Sequence, residues 1–201
     1  AARTGLLIVQ GTLSVILLVG AGLFVRSLDN VRGMHMGWDP DPVLIARANL
    51  RGMRLDSGAT VALGRRLLET AQAIPGVTAV ARMNADPFGT NTDYLGVAGI
   101  DSVVRLGRFN QQWATPDFCK ALDTRIVRGR AFDETDRTGT PLVAVVSESM
   151  ARRLWPGRDA IGECMRVGSD AQPCTTVVGV AEDAVQGSLS DDQHLMYYLP
   201  F

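Results

Sequence analysis

A membrane-spanning helix followed by an α+β domain is the architecture this sequence predicts. Three observations predict it. An uncharged apolar run extends from Thr4 to Val25. The segments after it mix strand-like and helix-like patterns without a strict βαβ alternation. The composition, 46% hydrophobic and 20% charged, is that of a folded chain and excludes disorder.

The apolar run comes first. Gly5–Val25 is 21 residues, about 31 Å as a helix, which matches the ~30 Å hydrocarbon core of a bilayer. Arg3 and Arg26 bracket it. A secretory signal core is shorter and ends at a small-residue cleavage site. Here the pattern runs on into Arg26-Ser-Leu-Asp-Asn-Val-Arg32, a helical stalk assigned to residues 26–37. Gln10, Ser14, Gly20 and Gly22 suit close helix packing in lipid. With Arg26 and Leu28 in the stalk, they are the candidate coupling residues. One Arg before the span and two soon after it would place the domain in the cytoplasm by the positive-inside rule.

The globular part is expected over residues 43–201. Asp39-Pro-Asp-Pro42 reads as an extended linker, because each Pro pushes its predecessor out of the helical region. Val43–Leu50 reads as a strand. Ser57 is placed as the cap of a helix carrying Leu63, Leu67, Leu68, Ala71 and Ile74 on one face. Pro75-Gly76 stops that helix, and Val77–Met83 is a second strand, making a βαβ unit. Residues 86–140 are rich in turns and read as an inserted β-rich subdomain, with strands over Tyr94–Ile100 and Val103–Gln111 and a short helix over Thr115–Leu122. Leu142–Val146 is a buried strand. Ser147 caps a helix over Glu148–Leu154, which Trp155-Pro-Gly157 ends. Met165–Val167 and Thr175–Ala181 form a hairpin, and Met196–Leu199 is a last strand. The chain opens without Met and closes on a strand, and reads as a piece of a longer protein.

Candidate chemistry is sparse. A net charge of −1 leaves no basic excess to neutralise phosphates, which argues against nucleic-acid binding; that Lys120 is the single lysine reflects base composition, not function. Neither a Gly-x-x-x-x-Gly-Lys-Ser/Thr loop nor a Gly-x-Gly-x-x-Gly or Gly-x-Ser-x-Gly motif is present, so no nucleotide or nucleophile-elbow chemistry is expected. No catalytic residue, cofactor or metal is assigned. His35 and His194 lie far from the cysteines. Asp191-Asp-Gln-His194 and Asp133-Glu-Thr-Asp136 read as solvated loops, and Cys119 as a small buried hydrophobe. Cys164 and Cys174 flank the hairpin loop, a spacing that brings two Cα atoms within disulfide range. A bridge is expected if the domain lies outside the cytoplasm; the alternative is two buried thiols.

At this point the ordered strings resemble a known family. They are Leu7 through Leu28, Gly37-Trp-Asp-Pro-Asp-Pro-Val-Leu44, Ile74-Pro-Gly-Val77 and Thr115-Pro-Asp-Phe118. They continue with Arg128-Gly-Arg-Ala-Phe132 and Asp136, Val143-Ala-Val-Val-Ser-Glu148 and Ala151-Arg-Arg-Leu-Trp-Pro-Gly157. Ile161-Gly162, Val177-Val-Gly-Val180 with Asp183, and Tyr197-Tyr-Leu-Pro200 complete the set. Together they resemble the MacB/FtsX-type ABC transporter permeases, closest to the duplicated, ATPase-less branch common in acidobacteria. The resemblance implies a MacB-like periplasmic core domain on the outer face of a bacterial inner membrane. It implies a non-catalytic permease subunit that couples a cytoplasmic ABC ATPase to movement of that domain. It further implies a homodimer, or a pseudo-dimer with a second permease half. The implied orientation opposes the arginine count and is preferred, because the resemblance spans the chain. The alternative function is a small-ligand-sensing ectodomain of a membrane receptor.

Overall fold

The computed structural model describes residues 2–33, 36–50, 52, 54, 56–85, 89, 91–137, 139–185 and 195–201, with the backbone alone at 2, 32 and 57. The chain divides into two units, a helical one and one beginning at Met36.

The first unit is α1, Ala2–Arg32, a single unbroken helix of 31 residues. Its apolar side chains face outward along its length; Leu6, Leu18 and Phe24 are each about 70% exposed. A helix that is apolar all round and unburied needs lipid or another protein for its surface. The segment Arg3–Val31 is long and apolar enough to cross a membrane. Inside it the Thr12 hydroxyl donates to the Ile8 carbonyl at 2.9 Å, so that polar group finds a partner within the helix. Charges return only at Arg26, Asp29 and Arg32.

The second unit is built on one mixed sheet. Its strands are β1 (Leu95–Val97), β2 (Asn110–Ala114), β3 (Ile126–Gly129), β4 (Val143–Ser147), β5 (Cys164–Val167), β6 (Thr175–Ala181) and β7 (Met196–Pro200). The order is β1-β5-β6-β4-β7-β2, with β3 also on β6. β4 runs parallel to β6, and β2 parallel to β7; the other pairings are antiparallel. β6 is the hub. β4 lies along one edge of it, while β5 pairs with its start (Met165 opposite Thr175) and β3 with its end (Gly129 opposite Gly179). The strands drawn from residues 86–140 are thus members of this same sheet.

Both faces of the sheet are covered, so β4 reads Val-Ala-Val-Val without alternation. One face sends Ala144, Val146, Val177 and Tyr197 against Met150, Leu154 and Trp155 of α4 (Glu148–Leu154) and its end. The other sends Val143, Val145, Met196 and Tyr198 against Phe118 of α3 (Phe118–Leu122) and Phe132. There the Phe118 ring stacks on Tyr198 at 4.5 Å between centroids.

Four sequence expectations are corrected. Val43–Leu50 forms no strand among the described residues, and Leu44 is 92% exposed. Val77–Met83 contributes only one bridge, Met83 to Ala114. β propensity makes a sheet only where a partner strand is present, so the βαβ unit is not formed as regular strands. Val103–Gln111 is split: Val103–Leu106 is a 3-10 turn, and the strand begins at Asn110 beyond Gly107. The cap of α2 (Ser57–Gln72) is Asp56, whose carboxylate accepts from the Ala59 amide at 2.7 Å. A carboxylate beside a helix start also favours the dipole.

Cys164 begins β5 and Cys174 immediately precedes β6, with Cα atoms 5.5 Å apart, and the structure joins them in a disulfide. Closing so short a loop removes about 2–3 kcal/mol of unfolded-chain entropy. Cys174→Ser is therefore expected to lower stability by about that amount in the chain-entropy account. Denaturant melts should show the difference under oxidising conditions, and no difference once the parent protein is reduced.

Candidate functional site

The junction where the chain comes into its domain is built from residues 36–39. Trp38 is buried against Leu122 and Ala184. The Val185 amide donates to the Met36 carbonyl at 2.8 Å, and the Asp39 amide to the Leu122 carbonyl at 3.0 Å. The buried Thr124 hydroxyl donates to the Gly37 carbonyl at 3.0 Å. Gly37 has φ +70°, and a Cβ there would stand 2.1 Å from the Asp183 carbonyl oxygen. The first residues of the domain are thus held between the end of α3 and the strand-exit segment Asp183–Val185.

Asp183 extends that junction into α4. Its carboxylate accepts from the Ser149 amide at 2.7 Å and the Ser149 hydroxyl at 2.6 Å. Arg152 reaches the same carboxylate at 3.2 Å. Ser147 accepts from the Met150 amide at 3.3 Å, so two of the helix's first free N–H groups have acceptors. The sequence signalled Ser147 as a cap. It gave no sign that Asp183, distant in sequence, shares the task.

A second clamp holds the loop after β3. Arg130 grips Asp136 with both terminal guanidinium nitrogens, at 2.5 and 2.9 Å. The Asp133 amide adds a bond to Asp136 at 2.9 Å. Asp133, Glu134 and Thr135 are exposed in a turn, as the composition predicts, but Asp136 is only 8% exposed and turns inward from it. The Arg130 hydrogen bonds, ahead of the backbone bond from Asp133, hold the Asp136 carboxyl below the usual carboxylate range. A folded-state pKa below the unfolded value of about 3.9 means stabilisation that is present above that pH. It is lost as pH falls through the folded value. Asp136→Asn is expected to remove about 2 kcal/mol at neutral pH and to flatten the acid limb of the stability profile below about pH 4. Urea melts across pH would check both.

The remaining candidates are placed as follows. Burial pushes the Cys119 thiol up to about 12, which makes it an inert packing group. Among the described residues, no three His, Cys, Asp or Glu side chains cluster in a way that could hold a metal. Asp191 to His194 lie outside the described residues. Gln10, Ser14, Gly20, Gly22, Arg26 and Leu28 all lie on α1, where an added Cβ at Gly20 or Gly22 would meet nothing within 4 Å.

These features define a class: an α+β domain, its frame locked by polar residues, that follows a helix long and apolar enough to cross a membrane. The chain belongs to the MacB-like periplasmic core domain family, whose model matches residues 4–201. No curated protein matches it. Among solved structures it is similar to the periplasmic region of MacB from Actinobacillus actinomycetemcomitans, with 18% identity, 66% of this chain and 52% of that one covered, and a TM-score of 0.46. It is also similar to the extracellular domain of the noncanonic ABC-type transporter YknZ from Gram-positive bacteria, with 15% identity, coverage of 67% and 60%, and a TM-score of 0.47. The chain spans between half and two thirds of the length of these two structures.

Proposed function

We propose that this chain is the membrane-anchored, non-catalytic part of an ABC-type permease, with α1 in a bacterial inner membrane and the domain on its extracytoplasmic side. A cytoplasmic ATPase supplies the work. The permease acts as a homodimer or with a second permease half, and α1 carries nucleotide-driven motion to the domain. Family membership and the apolar α1 support this reading. The observation that carries it is the junction at Met36–Asp39. From Met36 on the backbone is tied into the core, so a pull applied at Met36 is delivered to α3 and the end of β6. The Cys164–Cys174 bridge suits an oxidising compartment.

Leu28→Pro tests the proposal. Proline removes one helix hydrogen bond and clashes with the preceding turn, a cost of about 3 kcal/mol within a helix. The permease and its ATPase would be reconstituted in liposomes, with a fluorophore on Cys introduced at the exposed Arg137 and acceptors in the lipid. ATP should change energy transfer in the parent. In Leu28→Pro that change should vanish while hydrolysis continues. Survival of the ATP-driven change would sink the proposed role of α1.

A further inference from the structure

An open groove of about 580 Å³ lies beside the C-terminal end of α4, away from the junction and the two clamps. Three arginines from three separate segments line it: Arg105 on the 3-10 turn, Arg153 on α4 and Arg158 beyond it. Arg158 is paired with Glu163 at 3.2 Å. The side chains of Arg105 and Arg153 make no ion pair or hydrogen bond with any described residue. Asp101 is the one acid of the lining, so the lining sums to +2 in a chain whose net charge is −1. The floor is apolar and fixed. Leu154 is 3% exposed in the main core, and Ile100 and Leu106 pack on that core.

We propose that this groove docks a segment of a partner protein that carries carboxylates on either side of an apolar side chain. The carboxylates pair with Arg105 and Arg153, and the apolar residue lies on Leu106 and Leu154. Guanidinium groups suit this task because they bind carboxylates through two parallel hydrogen bonds. Arginines beside a rigid apolar floor are also the composition of interface hot spots. The open, unroofed shape fits a length of chain better than an enclosed small molecule. The competing account gives Arg153 only the role of complementing the α4 dipole. That account leaves Arg105 unexplained, since it lies on a different segment.

The test uses the full chain in detergent micelles, observed by NMR at arginine Nε–Hε and leucine methyl groups. The probe is the capped tripeptide Glu-Leu-Glu, compared with Gln-Leu-Gln and with acetate and phosphate alone. Saturable shifts confined to Arg105, Arg153, Leu106 and Leu154 are expected with Glu-Leu-Glu. They should weaken roughly tenfold in Arg105→Gln or Arg153→Gln, and should fall with added salt. Both arginines are exposed, and unchanged core resonances would verify the fold of each variant. Three results would overturn the proposal. One is equal shifts from Gln-Leu-Gln. Another is equal affinity for acetate or phosphate, which would make this a site for free anions. The third is the absence of shifts at these residues.

Discussion

Gly179→Ala is expected to destabilise the domain by about 3 kcal/mol or more, at the upper end of what overpacking does. The added Cβ would stand 2.1 Å from the Arg130 carbonyl oxygen and 3.2 Å from Val145 Cγ2. Gly179 sits in β6, with β4 on one side and β3 on the other, so neither neighbour can yield without breaking strand pairing. Its register partner Gly129 meets the same obstacle from across the ladder. A Cβ there would lie 2.2 Å from the Val178 carbonyl oxygen, at φ +72°. Two glycines face each other because the backbones of β3 and β6 approach too closely for a side chain on either. The Arg130 amide to Val178 carbonyl bond, at 3.0 Å, belongs to the same close contact.

Two comparisons make that expectation discriminating. Gly157→Ala and Gly162→Ala place a Cβ in open space at φ +75° and +85°, so each carries the left-handed backbone penalty alone, about 1–2 kcal/mol. Gly129→Ala should exceed both, since it adds the clash. The double variant Gly129→Ala with Gly179→Ala should cost less than the sum of the singles, by about 1 kcal/mol or more. Once the strands have parted for one methyl, the second finds room already made. Strict additivity in denaturant melts would mean that the two glycines do not share one constraint. For a unit of this size, 3 kcal/mol corresponds to roughly 6–12 °C in Tm.

This glycine pair also shows what the sequence made legible and what it hid. Where an element is specified by its own residues, the sequence announces it. Ser147 and the run Glu148–Leu154 carry a cap, a helical stretch and a stop, and the helix has those bounds. The strands at Thr175–Ala181 and Met196–Pro200 are short and mostly apolar, and their own residues announce them. Where an element is specified by its neighbours, the sequence does not announce it. β2 is Asn-Gln-Gln-Trp-Ala, with Asn110, Gln111 and Gln112 all buried, and nothing in that string announces a buried strand. β3 is mostly exposed and arginine-bearing, and exists because β6 offers it an edge. Val43–Leu50 has strand-like residues but pairs with no strand among the described residues. Asp183 and Asp136 were visible only as members of ordered motifs. Their hydrogen bonds, to Ser149 and Arg130, explain physically why acids stand at those places.

Gly37→Ala is expected to act on both stability and coupling, which sets it apart from the sheet glycines. Its Cβ would stand 2.1 Å from the Asp183 carbonyl oxygen and 2.7 Å from Ala184 Cα, at φ +70°. The backbone of residues 36–39 must then withdraw from Asp183–Val185, and a loss of about 2–4 kcal/mol is expected from strain and lost bonds together. The local signature is faster hydrogen exchange at the Asp39 and Val185 amides, whose acceptors are Leu122 and Met36. Gly52→Ala serves as the comparison, because it has φ +85° with nothing within 4 Å. It carries the conformational penalty without touching the junction. If the junction transmits motion, Gly37→Ala should diminish the ATP-driven change in energy transfer while Gly52→Ala leaves it intact. Asp183→Ala should fall between them, since it frees the start of α4 but keeps the main-chain bonds at Met36 and Asp39. Unchanged exchange at Asp39 and Val185 in Gly37→Ala would mean that the junction does not hold the chain. The path from helix to domain would then have to be sought elsewhere.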